Sequence, residues 1–144
     1  MQSPARRARP LLLRSVFTMT WSQLHERMAF MADLIDRAAT DPEAAFDLTD
    51  KASDVERLFG SEEGLLLSLR HRWVTMLTAK LDQAVHEDVP ADQARAELAA
   101  ANPGLLALLD AANRRSVRMR ALAHGEKHIV ELYTSPGGDR QTVA

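Results

Sequence analysis

Apolar side chains recur along this chain at steps of three and four, the spacing that gathers them on one face of an α-helix. Between residues 20 and 38 the stripe is Trp21, Leu24, Met28, Met31, Ile35 and Ala38, with Glu26, Arg27, Asp33, Asp36 and Arg37 elsewhere on the helix. Thr20 followed by Gln23 predicts the start of this helix as a capping box. Asp41-Pro42 predicts a second start, with Asp as the cap and Pro in the first helical position. Ala45, Leu48, Ala52, Val55 and Leu58 continue the period there, and Thr49-Asp50 marks a point where the segment can divide in two. Gly60 suits its C-terminal end.

Ser61-Glu62-Glu63 restarts helix with a capping side chain and two acids in the first turn, where the helix dipole favours them. The third helix is predicted from about Glu62 to Glu87. Its face is Leu66, Leu69, Trp73, Leu77, Leu81 and Ala84, widened by Met76 and Val85. Val89-Pro90 ends it, Ala91 to Ala101 forms a short Ala-rich helix, and Asn102-Pro103-Gly104 stops that one. A last long helix begins near Leu105. Its buried face reads Leu105, Leu109, Ala112, Ser116, Met119 and Ala123, and the period runs on through Ile129 and Leu132 across Gly125. Only residues 129–133 offer a strand candidate, and no sustained period-two alternation supports it. The expected fold is therefore all-α: an elongated antiparallel bundle of four to five helices, three of them long, forming one domain over residues 19–133. Trp21 and Trp73 both fall on apolar faces, so each is expected to anchor the core.

Composition narrows the function classes. The chain has 144 residues, 46% hydrophobic and 26% charged, with no cysteine. That excludes disulfides, thiolate metal sites and thiol nucleophiles, and it suits a cytoplasmic location. No apolar run approaches the length needed to span a bilayer, so no membrane association is expected. The net charge of −2 hides an uneven distribution. Residues 1–18 carry Arg6, Arg7, Arg9 and Arg14 without an acid, residues 19–110 sum to −9, and residues 111–144 sum to +3. The first 18 residues read as a disordered basic leader, or as an over-extended start with Met19 as the true initiator. Residues 134–144 read as a flexible tail.

Three constellations carry candidate chemistry. Arg114, Arg115, Arg118 and Arg120 form the dense basic cluster of the predicted domain, a possible contact surface for phosphates. They do not share one helix face and no aromatic is interleaved, so pairing with the acidic body is the favoured role. His124, His128 and Glu131 have helical spacing for a metal site, with His25 or His71 as the fourth donor. The acid, however, is one position late for a His-Glu-x-x-His motif. Periodicity also turns both histidines toward solvent, so no metal is expected. Asp47, Asp50, Asp54 and Glu56 lack the spacing of a calcium loop. With no phosphate loop and no catalytic constellation, no cofactor and no enzymatic activity are expected. The leading expectation is a protein-binding or regulatory module that pairs with another protein or with itself as a homodimer. Nucleic-acid binding through the basic last helix is the alternative, and a metal-dependent bundle enzyme comes third.

Overall fold

A helix forms wherever the three-four period is uninterrupted, and it ends where Pro, Gly or a capping side chain intervenes. The computed structural model describes residues 4–134, with side chains described from Thr20 onward. The first helix, α1 (Pro4–Ala38), does not start at Thr20: its backbone is helical from Pro4, so the Thr20/Gln23 pair lies inside it rather than capping it. Residues 135–144 of the expected tail lie outside the described residues.

The next turns follow the residues that predict them. The Asp41 carboxylate accepts the Ala44 N–H at 3.1 Å and caps α2 (Pro42–Ala45). The second stripe does divide at Thr49-Asp50, into α2, a 3₁₀ turn over Thr49–Lys51, and α3 (Ala52–Phe59). Gly60 closes α3 with φ +80°, a backbone conformation that glycine adopts without a Cβ penalty. Ser61 then caps α4 (Glu62–His86) by accepting the Gly64 N–H at 3.0 Å. Helix α5 (Ala91–Ala101) has the predicted bounds.

The predicted last long helix is two helices. Ser116 is extended (φ −133°, ψ 124°) and separates α6 (Pro103–Arg115) from α7 (Val117–Thr134). Its N–H still bonds to the Ala112 carbonyl, closing α6, while its hydroxyl accepts the Met119 N–H at 3.3 Å and opens α7. Helix α7 runs unbroken through Gly125 and through residues 129–133, so the strand candidate is helical. The fold is all-α with no strand among the described residues, but it is built from more and shorter pieces than four to five helices.

Helix α4 supplies the spine of the core. Its predicted face is buried throughout, and Trp73 is the largest fully buried side chain. Helices α3, α5, α6 and α7 all pack against α4, while α1 packs on α2, α3 and α6. Among the described side chains of α1, Leu34 and Ala38 enter the core. Val85, predicted to widen the α4 face, is exposed. No described helix is long and apolar enough to cross a membrane.

Candidate functional site

Three of the four arginines at the α6–α7 junction meet carboxylates of the body. Arg114 pairs with Glu43 at 3.0 Å and with Asp110 at 2.8 Å. Arg115 reaches Glu62 at 2.8 Å, with its guanidinium carbon 4.9 Å from the centroid of the Phe46 ring. Arg118 lies 3.8 Å from Glu63, and Arg120 donates to the Asn113 carbonyl. These contacts tie the junction to α2 and to the first turn of α4. Exposed pairs of this kind contribute about 0–1 kcal/mol each, so their main effect is to fix direction and consume charge.

His128 and Glu131 are both well exposed, with Nδ1 3.9 Å from a carboxylate oxygen, and His124 is exposed one turn earlier. The donors that a metal reading would enlist are elsewhere: His71 lines a groove between α1 and α4, and His25 stacks on Trp21. No group of three or more potential metal ligands converges among the described residues.

The sequence reading passed over a polar cluster beside Trp73. The buried indole donates from Nε1 to Glu126 Oε1 at 2.9 Å, and Arg95 Nε donates to the same oxygen at 3.1 Å. Arg95 also lies 5.8 Å from the centroid of the indole ring. Burial pushes the Arg70 guanidinium below its usual value, opposed by the attraction of Glu126. Arg70, Arg95 and Glu126 border a cavity of about 120 Å³ that is also lined by the polar Asp110 and Asn113 and by Leu106, Leu109 and Met119. A signal for Glu126 did exist: it follows Met119 by seven residues and precedes Val130 by four, which places it on the buried stripe of α7.

Two larger concavities differ in chemistry. One, of about 630 Å³, lies between α2, α3 and Arg115 and is rimmed by Glu43, Asp47, Glu56 and Glu62. Its cation is engaged by Glu62, and Asp47 is engaged by the Thr49 hydroxyl at 2.7 Å, which holds that carboxyl below its ordinary value. The other, of about 670 Å³, lies between α1 and α4. Leu24, Met28 and Met31 line it from α1 and Phe59, Leu67 and Met76 from α3 and α4, with polar side chains between them.

Trp21 corrects an expectation here. It is 60% exposed rather than a core anchor, and Leu24 and Met28 are 44% and 50% exposed. The apolar stripe of α1 thus leaves the core at about Met31 and continues uncovered toward Trp21. Scattered exposed apolar residues are ordinary; here Trp21, Leu24 and Met28 lie on one helix face, and Leu24 and Met28 line the groove. No protein-family model, curated protein or solved structure matches this chain.

Proposed function

We propose that this protein is a binding module, without a catalytic step of its own, that receives a helix of another protein in the groove between α1 and α4. The observation that carries this reading is the exposed row Trp21, Leu24 and Met28, continuous with the groove wall. Covering apolar surface gains about 25 cal/mol per Å², and a helix laid in a groove covers it with anchors at three- and four-residue steps. Engagement of Arg114, Arg115 and Arg118 by body carboxylates favours a protein partner over nucleic acid, which needs its cations unspent.

A photo-crosslinking residue at position 24 tests the reading in cells, with position 132 on the exposed side of α7 as control. The expected result is a discrete cross-link to a different chain from position 24, absent from position 132 and lost in Met28→Glu. Equal labelling at both positions, or none at 24, would overturn it.

A further inference from the structure

The charge around the α1–α4 groove says what kind of helix fits it. Arg27, His71 and Arg72 line the groove, and among the described residues no carboxylate does. Arg27 has its guanidinium carbon 6.0 Å from the centroid of the Phe59 ring, so one cation sits directly above the apolar floor. The nearest acid on α1, Glu26, is engaged by Arg57 of α3 at 2.8 Å, and that pair holds the Arg57 guanidinium above its usual value. The groove is therefore an apolar trough with a cationic rim, in a chain whose middle is acidic overall.

We infer that the occupant is an amphipathic helix whose apolar face is flanked by Asp or Glu, and that it is not a second copy of this chain. This rests on the groove being the binding surface at all. An isologous dimer brings the same patch of each subunit together. Pairing through this groove would gather Arg27, His71 and Arg72 of both copies into one interface, with no acid in the described lining to neutralise them. An acidic flank instead places a carboxylate opposite each cation, which raises the association rate and excludes basic helices. Met28, Met31 and Met76 give the walls unbranched, polarisable side chains that adapt to different apolar anchors.

Two synthetic peptides of about 20 residues, long enough to hold helix, provide the test. Both carry Leu and Met at alternating three- and four-residue steps; one has Glu at the flanking positions, the other Lys. Binding to the full-length chain is read by fluorescence anisotropy, and its location by the methyl resonances of Met28, Met31 and Met76. The acidic peptide is expected to bind about ten-fold or more tighter than the basic one at low salt, with the gap narrowing as salt screens the rim. The double variant Arg27→Glu/Arg72→Glu, its folding checked by thermal melting, is expected to reverse the preference.

Equal binding of both peptides with shifts at the three methionines would overturn the charge assignment and leave the groove standing. A dimer seen by light scattering and dissolved by Met28→Glu would overturn the choice of occupant. Binding of neither peptide, with no methionine shift, would remove the groove reading itself.

Discussion

A buried indole N–H must find an acceptor, because a donor left unpaired away from water costs about 1–3 kcal/mol. Trp73 is fully buried and has a carboxylate, Glu126, 2.9 Å from its nitrogen. That carboxylate is itself only 12% exposed and accepts from Arg95 at 3.1 Å, with Arg70 lining the same cavity. Glu126→Ala removes the acceptor and leaves two guanidiniums without their counter-charge. The expected loss is about 2 kcal/mol, which lowers the melting temperature by roughly 6 °C. Glu126→Gln keeps an amide oxygen for the indole and recovers part of that loss. In a Trp21→Phe background Trp73 is the sole tryptophan, and its emission should change in Glu126→Ala but little in Glu126→Gln. An unchanged melting temperature in Glu126→Ala would show that the contact contributes nothing.

At the scale of the element, the boundaries most legible in the sequence were those set by local chemistry. Asp41-Pro42, Gly60-Ser61 and Pro90 each act through a cap or a fixed φ, and helix ends fall beside them. Ser116 was not legible as a boundary because it fits the apolar period of its neighbours, and no Pro or Gly accompanies it. The helical phase itself survives the break: Val130 falls eighteen residues after Ala112, five full turns, and is buried, whereas Leu132, read onto the stripe, lies on the far side and is 59% exposed. Close approach between elements was equally hidden. Gly104, at the start of α6, lies against the backbone of α1, and a Cβ there would collide with the Ile35 carbonyl oxygen. Backbone cannot yield as a side-chain tip can, so Gly104→Ala must push α1 away from α6. We expect it to destabilise the fold by about 1–3 kcal/mol, although alanine is the better helix former. Chemical denaturation measures this directly; a neutral or stabilising result would mean that the two helices are not held this close.

For the whole molecule, periodicity identifies which face of a helix is apolar and is silent about what covers that face. The α4 stripe was legible because every residue on it from Leu66 to Ala84 finds a partner within the chain. The α1 stripe reads identically in sequence yet divides in space, with Ala38 in the core and Trp21, Leu24 and Met28 outside it, while Leu34, off the predicted stripe, is fully buried. The groove follows from how the end of α3 and the middle of α4 lie beside α1, a tertiary fact that no local pattern contains.

This division makes one helix its own control. Leu34 is fully buried, so Leu34→Ala opens a cavity and should cost about 2–5 kcal/mol. Met28 lies less than two turns earlier, half exposed, and Met28→Glu exchanges one good helix former for another without emptying any space. Its stability should stay within about 0.5 kcal/mol of the parent, as for a surface substitution. Binding should move the opposite way. Leu34→Ala, measured below its melting temperature, should retain most of its affinity for the acid-flanked helix, while Met28→Glu should lose nearly all of it. A large loss of stability in Met28→Glu would mean that residue 28 is already covered in the isolated protein. The α1 stripe would then be core along its length, with no face left to receive a partner.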